Sequence, residues 1–152
     1  MVKYTMESNN VKLTFKNEKT GKTTVLELHN SATTVGKNSL ASRLAGASTG
    51  QVTYFAVGTG ASTGGGAPAV GDVALATELI RKQISVRSAS GNVASYRVFF
   101  GTSEANDDLT EIGLFGDDAS ATADSGTLFA RASITKTKTD QETLTIDWSL
   151  ET

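Results

Sequence analysis

Between Leu144 and Leu150 the chain alternates without a break, Leu144, Ile146, Trp148 and Leu150 being apolar and Thr145, Asp147 and Ser149 polar. Side chains of a β-strand point to opposite faces in turn, so this run predicts a strand with one side in a core and the other in solvent. The same period recurs three times. Val11, Leu13 and Phe15 alternate with Lys12, Thr14 and Lys16; Tyr96, Val98 and Phe100 alternate with Arg97 and Phe99; Leu128, Ala130, Ala132 and Ile134 alternate with Phe129, Arg131 and Ser133. A chain with four such segments is committed to sheets.

Turn residues mark how the segments join. Thr20-Gly21 lies between Val11–Phe15 and a second apolar run at Val25, Leu26 and Leu28, which predicts a hairpin over 11–28. Ser90-Gly91-Asn92 predicts a second hairpin, between Ile84/Val86 and 93–100. Further strands are expected at 51–57, which runs into Gly58-Thr59-Gly60, and at 109–115. The segment 61–71, with Gly64, Gly65, Gly66 and the single proline, Pro68, reads as a long surface loop.

Two segments have helical spacing instead. Leu40 and Leu44 share a face in 33–45, with Thr33 or Thr34 as N-cap and Gly46 as a stop. Asp72 is placed to cap a short helix in which Leu75 and Leu79 share a face and Glu78 precedes Lys82 by four residues. About seven strands, two short helices and no βαβ rhythm predict a mainly β fold (α+β at most), an antiparallel sandwich-like domain with one or two short helices. At 152 residues the expectation is one domain, 1–152.

Composition narrows the function. Without cysteine there is no disulfide framework and no thiolate metal site. Fourteen basic against sixteen acidic side chains leave no positive field for a phosphate backbone or an anionic membrane, so neither nucleic acid nor membrane is an expected partner. No uncharged apolar stretch approaches the roughly 20 residues of a membrane span, and the first ten residues lack the apolar run of a targeting segment, so a soluble chain is expected.

Candidate chemistry is sparse. His29, the one histidine, has no sequence neighbours suited to acid–base or zinc chemistry and reads as a structural or surface residue. Gly58-Thr59-Gly60-Ala61-Ser62-Thr63-Gly64 has neither G-x-G-x-x-G spacing nor a following Gly-Lys-Ser/Thr. Asp107-Asp108, Asp117-Asp118 and Asp124 lack the spacing of a calcium loop. Glu111, set in an apolar stretch, needs a partner if buried, and Arg81, Arg97 and Arg131 are the candidates. No Gly-x-Ser-x-Gly elbow occurs. No catalytic, cofactor-binding or metal-ligating residue is assigned, and the chain is expected not to be an enzyme.

Five pieces, in order, carry a resemblance: Leu40-Ala41-Ser42-Arg43-Leu44-Ala45, Phe55-Ala56-Val57-Gly58-Thr59-Gly60, Leu75-Ala76-Thr77-Glu78-Leu79-Ile80-Arg81, Thr110-Glu111-Ile112-Gly113-Leu114-Phe115 and Gly126-Thr127-Leu128-Phe129-Ala130-Arg131. Over 30–150 the chain resembles the N-terminal domain of phage tail-collar fibre proteins and related small virion proteins, with the hairpin 11–28 as an addition in front. The resemblance implies a virion location, assembly with other virion proteins, and a homotrimer or other symmetric homo-oligomer. A tail fibre, collar or adaptor element is expected; the alternatives are a capsid decoration protein or a carbohydrate-binding module. Sugar binding would need an aromatic platform from Trp148, Tyr54 or Tyr96, whereas the phase of Trp148 with Leu144, Ile146 and Leu150 predicts core.

Overall fold

The computed structural model describes residues 7–47, 50–60 and 68–151. Among the described residues ten strands and one helix follow one another: β1 (Glu7–Asn17), β2 (Thr23–Leu28), β3 (Asn30–Ala32), α1 (Thr34–Leu44), β4 (Val52–Gly58), β5 (Glu78–Gln83), β6 (Val86–Ser90), β7 (Val93–Phe100), β8 (Asp108–Gly116), β9 (Thr127–Thr137) and β10 (Glu142–Glu151). They form two antiparallel sheets of five strands, β2-β1-β10-β7-β6 and β3-β9-β8-β4-β5, a mainly β sandwich as the alternation predicts.

The predicted hairpin 11–28 is built into the first sheet, where β1 lies between β2 and β10 and pairs Val11 with Trp148, Leu13 with Ile146 and Phe15 with Leu144. Both edges of the sandwich are stitched by the chain itself. His29 alone separates β2 from β3 at one edge, and Ile84-Ser85 joins β5 to β6 at the other. The Ile84 amide donates to Thr53 O (2.8 Å) and the Ser85 amide to Arg97 O (2.9 Å), so hydrogen bonding continues across the step from one sheet to the other.

Apolar residues from the inner faces meet between the sheets, where Trp148, Phe15, Phe55 and Phe100 are fully buried. Phe55 and Trp148 lie with ring centroids 5.9 Å apart, tilted by 44°, a geometry that adds to their area burial. Trp148 is therefore core, as its phase predicts.

Helix α1 forms where expected. Thr33 is the N-cap, accepting from the Gly36 amide at 3.0 Å while its own hydroxyl donates to Leu128 O. Gly46, at φ +72°, ends the helix, its amide bonding to Arg43 O at 3.0 Å. The docking face differs from the predicted Leu40/Leu44 face, since Leu44 is exposed and the one buried helical residue is Gly36. A Cβ at Gly36 would sit 2.6 Å from Phe129 Cα, so this glycine lets the helix backbone lie directly on β9.

The second predicted helix does not form. Residues 72–77 are non-helical and Glu78–Gln83 is strand β5, an edge partner of β4. Two tertiary demands override the local spacing. Leu75 is drawn into a small cluster with Ala56, Phe115 and Leu128, and the amides of Ala76 and Thr77, which a helix would have turned along its axis, instead donate to Glu111. Leu79 is the extra residue of a bulge between the Gly58–Glu78 and Val57–Ile80 pairs. That bulge brings Glu78 beside Arg81, so the predicted Glu78–Lys82 pair is replaced by Glu78–Arg81, and Lys82 pairs with Glu104. The strand count exceeds the predicted seven chiefly because β3 and β5 are short edge strands whose partners, β9 and β4, are remote in sequence.

Candidate functional site

Four of the five segments named above meet around Glu111 on the second sheet, and the fifth, in α1, packs against β9 through Arg43 and Phe129. Glu111, on β8, is buried and accepts four hydrogen bonds. Its Oε1 takes the amides of Gly60 (3.2 Å) and Thr77 (2.8 Å), and its Oε2 takes the Ala76 amide (2.9 Å) and Arg131 Nη2 (2.7 Å). Of the three arginines considered from sequence, Arg131, on the neighbouring strand β9, is the partner. Arg97 lies on the other sheet with Asp147, and Arg81 is held by Glu78.

Arg131 Nη1 reaches Asp72 Oδ2 at 2.8 Å, and the same oxygen accepts the Ala69 amide at 2.9 Å. Burial pushes the Arg131 guanidinium down, but bonds to Asp72 and Glu111 outweigh it and hold the group above its ordinary range, so it stays charged. A buried carboxylate thus fastens both stems of the segment between β4 and β5. Gly58 and Gly60 are required for this, because a Cβ on either would come within 2.7 Å of the Glu111 side chain.

A second knot lies beside the first. Arg81 forks onto Glu78 through Nε (2.5 Å) and Nη2 (2.7 Å), and its Nη1 bonds to the carbonyls of Ser120 and Ser125. Its guanidinium lies over the Phe115 ring at 4.6 Å. Arg43 ties α1 in the same way, with Nη2 on Asp117 Oδ1 at 2.6 Å and the guanidinium 4.7 Å above Phe129. Desolvation pushes the Asp117 carboxyl up, yet hydrogen bonds from Arg43, Ser39 and Thr127 prevail and hold it below the usual range.

No family model, no curated protein and no solved structure matches this chain. Its chemistry is therefore read from its own side chains.

One open cleft of about 370 Å³ lies at the β6 edge, with Val52, Ala94 and Tyr96 as its floor and Arg43, Gln51 and Arg87 at its rim. Burial is the leading influence on the Tyr96 phenol, which is held above its ordinary value despite Arg43 and Arg87. The rim cations are engaged: Arg43 by Asp117, and Arg87 by Gln51 Oε1 (2.7 Å) and Val52 O (3.3 Å). The cleft holds neither a nucleophile paired with a base nor two facing carboxylates.

Other sequence candidates sit apart. His29 occupies the crossing between sheets, and the acidic residues 107–108 and 117–118 lie at opposite ends of β8. Among the described residues, no group of three or more His, Asp or Glu is arranged to hold a metal. Residues 61–64 of the glycine-rich motif, and most of the loop expected over 61–71, lie outside the described residues. Sequence reasoning missed Asp72 as an ion-pair partner and Lys138 altogether. Lys138 is 1% exposed, its ammonium on Gly101 O (3.0 Å) and Asn106 Oδ1 (2.7 Å), and burial holds it below its ordinary value. Its flanking Thr137 and Thr139 carry no periodic signal that would have marked it.

Proposed function

We propose that this chain is a non-enzymatic structural protein of a bacteriophage virion, attaching or forming a tail fibre, collar or adaptor element through homo-oligomerisation. The observation that carries the reading is that the five resembling segments contact one another, four at Glu111 and the α1 segment through Arg43 on Phe129. Gly58 and Gly60 leave room for Glu111, Glu111 takes the Ala76 and Thr77 amides and Arg131, and Arg43 stacks on Phe129. These residues specify one another's positions, which is the role expected of a scaffold motif, whereas a catalytic motif would aim its polar groups at a substrate space.

Fixing a loop by a buried ion pair suits a protein that must present a rigid surface to neighbours in a particle. The carbohydrate-binding alternative would require an aromatic platform from Trp148, Tyr54 or Tyr96; Trp148 lies in the core, and Tyr54 and Tyr96 are half-buried, Tyr54 against the Phe115 cluster and Tyr96 against the main core. A capsid decoration protein would share the same assembly chemistry and differ in its place on the particle.

The test is direct. Purified virions from the source of this sequence should yield peptides of this chain in stoichiometric amount, and gold-labelled antibody should mark the tail, collar or neck. Labelling spread over the capsid would shift the reading to decoration. Recovery of the chain only from the particle-free lysate would overturn it.

A further inference from the structure

The two sheets are finished differently on their outer faces. On the second sheet Leu75 packs beside Phe115 and Leu128, and Asp72 covers Arg131. On the first sheet, among the described residues, the outer side chains Val25, Phe99 and Val86 stand 46%, 48% and 53% exposed. Strand register arranges this face in rows across β2, β1, β10 and β7. One row reads Glu27, Lys12, Asp147, Arg97, alternating in sign; the next reads Val25, Thr14, Thr145, Phe99, apolar at both ends.

We propose that this face binds a second copy of the chain, sheet against sheet, about a two-fold axis parallel to the strands and midway between β1 and β10. The inference rests on the self-association proposed above and names its surface. Such an axis carries β2 over the second copy's β7 and β1 over its β10 while keeping each row at its own level. Glu27 then faces Arg97, Lys12 faces Asp147, Val25 faces Phe99 and Thr14 faces Thr145, each pair occurring twice. Within these two rows every charge meets its opposite and Val25 meets Phe99, while Val86 lies on the β6 edge beyond the four strands. Arg97 and Asp147 already form an ion pair within the sheet (2.6 Å), so the second copy's Glu27 and Lys12 extend an existing network. The operation also superimposes the twist of the two sheets, as aligned sheet packing about 10 Å apart requires.

The area is sufficient for a specific but dissociable contact. Four strands about 4.8 Å apart, over seven residues rising about 3.3 Å each, give a footprint of roughly 440 Å² per copy. Both copies together bury about 900 Å² before side-chain relief is counted, near the roughly 1,000 Å² that a specific interface needs. The expected dimer has a dissociation constant on the order of micromolar.

The experiment is a pair of charge reversals followed by light scattering after size exclusion. Lys12→Glu alone sets carboxylates against each other twice across the axis, and Asp147→Lys alone sets ammonium groups against each other twice. Each should weaken the dimer at least about tenfold. Mixed in equal amounts, the two variants should recover it, since a heterodimer restores both opposite-charge contacts. Phe99→Thr, which leaves the charges alone, should weaken the dimer as well, and circular dichroism checks that each variant is folded. A wild-type trimer or ring that none of these substitutions disturbs overturns this surface while leaving self-association standing. A wild-type monomer at every concentration overturns both.

Discussion

Arg131 Nη2 meets Glu111 Oε2 at 2.7 Å with the two side chains only 7% and 1% exposed, and between them they anchor Gly60, Asp72, Ala76 and Thr77. Arg131→Met should destabilise the fold by about 3–5 kcal/mol, because it leaves a buried carboxylate with backbone donors but no counter-charge. Glu111→Gln should also destabilise, since an amide NH2 would point at a backbone N–H where a carboxylate oxygen now accepts. Urea unfolding of both variants checks this; a loss under 1 kcal/mol in each would mean that the clasp contributes little.

Gly36→Ala tests how closely α1 lies on its sheet. An alanine is better than glycine in a helix by about 1 kcal/mol. Here the added methyl would meet Phe129 Cα at 2.6 Å and its carbonyl oxygen at 2.7 Å, both backbone atoms that cannot rotate away. The overpacking cost of about 1–3 kcal/mol is expected to win, lowering the thermal midpoint. A raised midpoint would show that the helix shifts freely on β9.

Trp148, fully buried against Phe55, should emit at short wavelength in the native protein and shift to the red only on unfolding. Trp148→Ala should cost about 3–5 kcal/mol, read as a lowered urea midpoint followed by far-ultraviolet circular dichroism. Added polysaccharide should leave the native emission unchanged.

Acid stability follows from two carboxylates. Glu104 is held below its ordinary range by Lys82 first, whose ammonium lies 2.6 and 2.8 Å away, and by the Gly101 amide at 2.7 Å. Asp117 is also lowered, its hydrogen bonds from Arg43, Ser39 and Thr127 outweighing desolvation. In both, the folded chain binds a proton less readily than the unfolded one. The stability they confer is therefore complete above the unfolded carboxylate range, about pH 4 to 4.5, and lost as pH falls through the lower folded values. Glu104→Gln should lower stability at neutral pH and flatten the acid limb of its pH profile, measured by urea midpoints from pH 7 to pH 2.

Strands that bury one face and wet the other, such as β1, β7 and β10, were legible because each residue's neighbours in sequence alternate with its environment in space. The cap at Thr33 and the stop at Gly46 were legible for the same reason: helix ends are satisfied by residues within a turn. In β9 the alternation breaks at one point, since an irregularity in its pairing with β8 sets Phe129 in the inter-sheet core beside Ala130, while Arg131, on the outer face, is covered by Asp72.

The sequence by itself determined that this chain makes antiparallel sheets with Trp148 inside and Glu111 in need of a cation, because alternation and the cost of a buried charge are local facts. Only the tertiary structure decided that the cation is Arg131, that 78–83 is an edge strand rather than a helix, and which strands neighbour which. Those outcomes depend on atoms far apart in the chain, where two or three long-range hydrogen bonds and one buried leucine outweigh a helical spacing worth only tenths of a kcal/mol per pair.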